Sequence, residues 1–356
     1  MVKFLILVLV FLSGILFLFL LPKSENGQII EKRDFEIKNE FDPRTVDLEE
    51  IFTSNHSFIA TLSAQKVRTL IATGDVIPAR SVNFKTVSFN DFTWPFEKTA
   101  DVIKDSDLTF VDFESPLVKN CPITQEGMIF CGDPKNVEGL KFAGVDVANL
   151  ANNHIENYGQ KGVEETTNLL NGSSILATGI SGPAFAYVRG LKFAFLGYND
   201  ISCQSQNISC SNDEKIAKEV VEAKTNSDIV IVAFHWGTEY TSQPTERQQK
   251  LAHLAIDSGA DLIIGNHPHW IQPVENYGGK IITYAHGNFV FDQMWSQKTR
   301  EGVVGKYTFY DKNLVDVEFL PVQIDDSGQP YFLEGKDKQR ILDEMKQESI
   351  KLASNL

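Results

Sequence analysis

The sequence predicts an α/β domain of layered sheets covered by helices, with a membrane-spanning helix ahead of it. Three observations support this. Short apolar runs of strand length alternate with amphipathic helical patterns over most of the chain. Polar residues of chemically useful kinds close one apolar run after another. Residues 4–21 form an uncharged apolar run, close to the roughly 20 residues that cross a bilayer as a helix.

The first of these elements is the N-terminal run. Lys3 precedes it and Pro22-Lys23 closes it. It is longer than the apolar region of a cleaved signal peptide and lacks a small-x-small cleavage site, so residues 1–22 are expected to be a retained single-pass anchor. Lys23, Lys32 and Arg33 follow it and weaken any orientation argument from positive charge. Residues 23–44 are polar and without periodicity, as a linker would be. A single domain is expected over residues 45–335. Residues 336–356 are charged and helix-prone, and read as a surface helix or a tail.

The four cysteines fall into two local pairs, Cys121 with Cys131 and Cys203 with Cys210. An even, clustered count suits disulfides in an oxidising compartment, and the lack of Cys-x-x-Cys spacing argues against a zinc knuckle. The domain is therefore expected at the cell membrane, outside the cytoplasm. The formal charge of -14 excludes a general nucleic-acid binder, which needs clustered Lys and Arg.

Strands are predicted at residues 68–73, 108–113, 145–150, 191–197, 229–234, 262–264, 281–285 and 314–322. Helices are predicted at 96–104, 159–170, 213–225 and 245–258. The last has a capping box, Thr245 with Gln248, and Gly259 at its end.

In sheets of this class ligands bind where strands end, so the residues that close each strand are the candidates. They are Asp75 after LIAT-Gly, Glu114 after LTFVDF, Asn152-Asn153-His154 after VANLA, His235 after IVIVAF, and His267 and His269 after LIIGN. Of seven histidines, His154, His235, His267, His269 and His286 lie just past strand ends, whereas His56 and His253 read as ordinary residues. His-Pro-His directs two imidazoles from one loop toward a common point. Carboxylate, amide and imidazole together make an N/O ligand set that suits one or two divalent ions of Mn, Zn, Fe or Ni. His286-Gly287-Asn288 and the FVFDQMW after it read as a glycine turn leading into core aromatics in preference to a pocket wall with Trp295 and Arg300 on a loop that contacts a polymer, and Trp236 and Trp270 read as packing walls.

The motifs ATGDVIPAR at 72–80, DFESPL at 112–117, ANNHIENYG at 151–159, FHWGTEY at 234–240, GNHPHW at 265–270 and HGNFVFDQ at 286–293 resemble the CapA/PgsA family. That family is associated with capsule and poly-γ-glutamate synthesis, and its domain is similar to calcineurin-like metallophosphoesterases. The resemblance implies a layered α/β/β/α sandwich. It also implies that Asp75 binds a first metal, Glu114 bridges, Asn153, His235 and His267 bind a second, and His269 returns to the first. His154 would face the substrate as an acid or oxyanion stabiliser, with Arg80 meeting an anionic group or pairing with a neighbouring acid. The expected partners are the membrane, from the N-terminal run, and, as the resemblance implies, an anionic polymer and other polymer-synthesis subunits.

Departures at three positions bear on hydrolysis. Ile77 stands where the wider enzymes usually carry a His ligand, and Asp112 and Glu114 replace the more usual Asn and a shorter bridging Asp. A polymer-synthesis protein, a free-standing extracytoplasmic metal-dependent phosphoesterase and an inactive scaffold of the same fold are the alternatives at this point.

Overall fold

The computed structural model describes residues 46–53, 56–202 and 207–354. The expected anchor, the linker and Cys203 lie outside the described residues. Among the described residues no helix is long and apolar enough to cross a membrane.

One sheet contains β1 (Val67–Val76), β2 (Leu108–Phe113), β3 (Val147–Asn149), β4 (Leu176–Thr178), β11 (Asn288–Val290), β12 (Glu301–Tyr310), β13 (Asn313–Asp325) and β14 (Gln329–Phe332). Its order is β14-β13-β12-β1-β2-β3-β4, with β11 pairing β1 off this path. Strands β1 to β4 run parallel, and β12, β13 and β14 extend the sheet antiparallel. The second sheet has β5 (Ala184–Val188), β6 (Leu191–Asn199), β7 (Ile229–His235), β8 (Leu262–Asn266), β9 (Val274–Tyr277) and β10 (Lys280–Thr283), in the order β5-β6-β7-β8-β10-β9.

Side-chain alternation explains the layering. In β2, Leu108 and Phe110 face a core shared by both sheets, while Val111 and Phe113 face the helices on the other side. Phe110 stacks on Phe195 of the second sheet with ring centroids 5.9 Å apart, and Phe193 meets Phe309 edge-on at 5.7 Å. A short helix, α1 (Leu48–Ile51), buries Ile51 in the shared core, and the outer face of the first sheet is covered by α2 (Ser81–Phe89), α3 (Ala100–Ile103), α4 (Val137–Phe142) and α5 (Gly159–Gly172). The outer face of the second is covered by α6 (Asp213–Asn226) and α7 (Glu246–Asp257). The result is four layers, α/β/β/α. Strands buried on both faces read in sequence as nearly unbroken apolar runs, which is why they stood out.

One expected helix takes a different form, while the expected C-terminal surface helix and the cap of α7 are present. The helix expected at 96–104 is a 3-10 turn at Trp94–Phe96 followed by the short α3. Pro95 opens that turn, and the Phe96 and Thr99 amides bond to Thr93 and Phe96 three residues back, so the chain rotates to bury both Phe96 and Ile103. The C-terminal segment is a helix over Gly335–Ala353, here α8, and it is docked: Ile341, Leu342, Met345 and Leu352 are buried, and Ser349 Oγ accepts from the Val274 amide at 2.9 Å. The capping box of α7 forms as expected, with Thr245 as its N-cap.

Candidate metal centre

The site lies where the parallel strands of both sheets end. Register sets it up: Asp75 pairs with Asp112 on one side and Asn288 on the other, Asp112 pairs with Asn149, and His235 pairs with Asn266. Each sheet thus presents a row of polar residues at one level. The β1 end is pressed against the loop before β11, where Asp75 N–H donates to Gly287 O at 3.0 Å. A Cβ on Gly74 would lie 2.3 Å from that same oxygen, so the approach requires glycine there.

Asp75 accepts from Asn266 Nδ2 at 2.9 Å and from the His267 amide at 3.3 Å on Oδ1, and from His269 Nδ1 at 2.9 Å on Oδ2. His269 Nδ1 is also 2.9 Å from Asn288 Oδ1, whose orientation is set because its Nδ2 donates to Gln293 Oε1 and Thr299 O. His235 is held between Asp112 Oδ2, 2.9 Å from Nδ1, and Asn153 Oδ1, 2.6 Å from Nε2. His267 Nδ1 lies 3.1 Å from the same His235 nitrogen. Both His267 and His269 have left-handed backbones, with φ of 97° and 57°. Such conformations are disfavoured for side-chain-bearing residues and cluster at functional sites.

The ligand atoms of Glu114, His267 and His269 lie within 4.8 Å of one another, and those of Asp75, Asp112, Glu114 and His235 form a second such group. Glu114 belongs to both groups. Its two carboxylate oxygens are buried with no hydrogen-bond partner, so the central carboxylate lacks the donors that buried acids normally have. Burial works to raise the Glu114 pKa, but the His235, His269 and His154 rings outweigh it and draw the carboxyl down to about 2. Burial raises Asp112 to about 6 against the pull of His235. Burial opposes charge on His235 as well, yet Asp112 and Glu114 together hold its pKa well above 6.5. Burial and then the His235 and His269 charges push His267 well below 6.5. Acids and imidazoles sealed from water around an unpartnered carboxylate fit a divalent cation by charge and by donor type.

His154 sits at the rim. Its Nε2 is 3.9 Å from Glu114 Oε1 and its Nδ1 is 3.0 Å from Asn157 Oδ1. Arg80, also with a left-handed backbone at φ 49°, donates from Nε to Asp292 Oδ1 at 3.0 Å, so its charge is matched within the chain. His286 lies outside both groups: it is buried against Gly265 O and Tyr307 Oη, and burial lowers it to about 4. His56 pairs with Asp316 and His253 with Glu275, as ordinary residues would. Trp236 is fully buried, stacked on Phe234.

Sequence reasoning passed over three buried residues of this site, Asp112 as a participant, Asn149 and Asn266, and it read a fourth, Asn288, as part of a turn. Asn149 Nδ2 donates to Asp112 Oδ1 at 2.6 Å. The available signal was that each asparagine closes or opens a short apolar run beside a residue already singled out. The disulfide expected between Cys121 and Cys131 is formed.

A family model described as bacterial capsule synthesis protein PGA_cap matches residues 69–293, which include every residue of the site. The chain is 30% identical over 305 residues to the capsule biosynthesis protein CapA of Bacillus anthracis, covering 80% of this chain and 74% of that protein. It is also 30% identical over 268 residues to the PGA biosynthesis protein CapA of Bacillus subtilis, covering 70% of each. Among solved structures it is similar to a novel phosphatase from Mycoplasma pneumoniae, at 16% identity and a TM-score of 0.49, over 73% of this chain and 95% of that one. With the matched segment spanning the site, the whole second sheet and the parallel strands of the first, the chain belongs to the bacterial capsule synthesis protein PGA_cap family.

Proposed function

We propose that this protein is a membrane-anchored accessory protein in the synthesis or export of an anionic capsule polymer such as poly-γ-glutamate, with a metal-binding, phosphoesterase-like site outside the cytoplasm. Family membership and the named relatives support the polymer role. The apolar run at residues 4–21 and the Cys121–Cys131 disulfide support the anchor and the oxidising side.

The observation that carries the site is Glu114, whose buried oxygens lack partners at the meeting point of two donor groups. Asp75, Glu114, Asn153, His235, His267 and His269 would hold one or two divalent ions, with Asp112 behind His235. A bound ion would supply Lewis acidity toward a phosphoryl or carboxylate oxygen. The chain's own residues do the rest. Asn266 and Asn288 orient Asp75 and His269, Asp112 and Asn149 orient His235, and His154 faces the opening with Nε2 toward Glu114.

The test is deletion of the gene in a polymer-producing strain, complemented with wild type or His267→Ala, alongside elemental analysis of the two purified full-length proteins. The reading expects surface polymer to fall on deletion and to return only with wild type, and metal to be lost in the variant. Unchanged polymer after deletion overturns the polymer role, and absence of metal in the wild type overturns the site.

A further inference from the structure

Ile77 fills the position two residues after Asp75, and it is fully buried in a small separate cluster with Ala79, Phe130 and Phe291. Phe130 comes from the loop closed by Cys121–Cys131. Its ring stacks on His154 with centroids 4.0 Å apart and planes at 22°, and it meets Phe291 edge-on at 5.7 Å. The Arg80 guanidinium lies 5.1 Å from the Phe130 centroid and 4.8 Å from that of Phe291, and Nη1 donates to Gly127 O of the same loop at 3.4 Å.

Asn157 joins the loop to His154. Its Oδ1 accepts from the Phe130 amide at 2.6 Å and lies 3.0 Å from His154 Nδ1. An atom that accepts from a backbone N–H is the amide oxygen, so the histidine nitrogen beside it carries a proton. In the neutral ring Nε2 is then the free nitrogen, and it is the one that faces Glu114. Cys131 Sγ, 3.3 Å from Tyr158 Oη, ties the base of the loop to the same turn.

We infer that the Cys121–Cys131 loop is a working part of the site, in which Phe130 and Asn157 position His154 and the disulfide latches them in place. Ile77 is the apolar seat for this arrangement: its buried side chain packs with Phe130 and Phe291 beside the clamp. The inference rests on the proposed reading that His154 faces the substrate. The loop contributes no atom to the carboxylate and imidazole groups around Glu114, so unlatching it frees His154 and leaves those groups intact. Phe130 and Asn157 are positioning residues; they act through the His154 ring.

The experiment labels the full-length protein with diethyl pyrocarbonate and follows carbethoxylation of each histidine by peptide mass spectrometry, with bound metal measured on the same samples. The proteins compared are wild type, wild type reduced with a phosphine, the reduced protein after reoxidation, Phe130→Ala, Phe130→Trp, Asn157→Ala and the double variant Cys121→Ser/Cys131→Ser. Reduction, Phe130→Ala, Asn157→Ala and the double variant should each raise the His154 rate several-fold, with His286 unreactive and metal retained. Reoxidation and Phe130→Trp should restore the slow rate. An unchanged His154 rate in the reduced and Phe130→Ala proteins overturns the inference. So does a rise accompanied by labelling of His286, because the loop would then be only a prop of the fold. Absence of metal in every sample counts against the proposed site alone, since the His154 rates are read independently.

Discussion

Asp112 Oδ2 lies 2.9 Å from His235 Nδ1, and both side chains are sealed from solvent at the ends of strands from different sheets. The carboxylate accepts from Nδ1–H, which turns Nε2 toward Asn153, His267 and Glu114. Asp112 thus sets the face that His235 offers to the centre. This is the arrangement by which an outer carboxylate orients a metal-ligating imidazole.

Replacing Asp112 by Ala should therefore do two separable things. It takes from buried His235 the carboxylate that accepts from Nδ1–H and leaves only Glu114 to offset its charge, which should cost about 3 kcal/mol of folding stability. It also lets the ring rotate, which should weaken metal affinity by roughly 10- to 100-fold. Asp112→Asn retains an acceptor for Nδ1–H and should lose less on both counts. Denaturant titration and metal titration of the three proteins check this, and equal losses in the Asn and Ala variants would refute the orienting role.

Glu114 makes the metal dependence of stability testable without any assay of turnover. If ions bind the folded chain there, unfolding should be opposed by about 2.7 kcal/mol at a free metal concentration 100 times Kd. Chelation should remove that increment. In Glu114→Gln the volume is kept and the shared ligand is weakened, so the melting temperature should respond little to added Mn or Zn. Thermal unfolding with and without chelator measures the difference, and a variant that responds as the wild type does would exclude Glu114 from the centre.

The pair His56 and Asp316 gives a pH signature far from the site. His56 Nδ1 is 2.8 Å from Asp316 Oδ1, and Nε2 is 3.0 Å from Thr53 O. The bond to Asp316 raises the His56 pKa above 6.5 in the folded chain, against burial. A raised folded value means that the stabilisation is fully present below the unfolded pKa and is lost as pH rises through the folded one. His56→Gln should thus destabilise most below the unfolded pKa, at about pH 5.5, and progressively less as the pH is raised to about 9. Denaturation midpoints of both proteins across that range check the sign.

The strand ends were legible because burial on both faces leaves an apolar run that stops abruptly at the first residue needed for chemistry. Asp75, Glu114, His235 and His267 announce themselves this way. β12 did not, although it is central to its sheet, pairing with β1 from Gly305 to Tyr310 and with β13 from end to end. It carries Gly302 and Gly305, which in isolation argue for a turn. Gly302 is needed because a Cβ would lie 2.0 Å from Asn288 O of the neighbouring β11, a neighbour that local sequence does not specify. Asp112 was visible as a departure from a family pattern, but its partner is 123 residues away and only register and sheet packing bring them together. The same holds for Ile77: its lack of a ligand atom is plain in the sequence, while its role as a seat depends on Phe130 and Phe291 arriving from distant loops.

His267 carries the last prediction, because its backbone and its side chain pull in opposite directions. With φ of 97° it occupies a region that favours glycine, so its backbone is held at a cost by the surrounding bonds, including that of its amide to Asp75 Oδ1 at 3.3 Å. Removing the imidazole in two ways separates the terms. His267→Ala loses the ring and keeps the strain, whereas His267→Gly loses the ring and relieves it. In metal-free protein the Gly variant should be more stable than the Ala variant by about 1 kcal/mol, despite the greater freedom glycine has when unfolded. Both should lose metal equally, since neither offers an imidazole. Chelated samples unfolded in denaturant test the first expectation and elemental analysis the second. An Ala variant more stable than the Gly variant would mean that the left-handed turn is relaxed and that the site stores no backbone strain at this position.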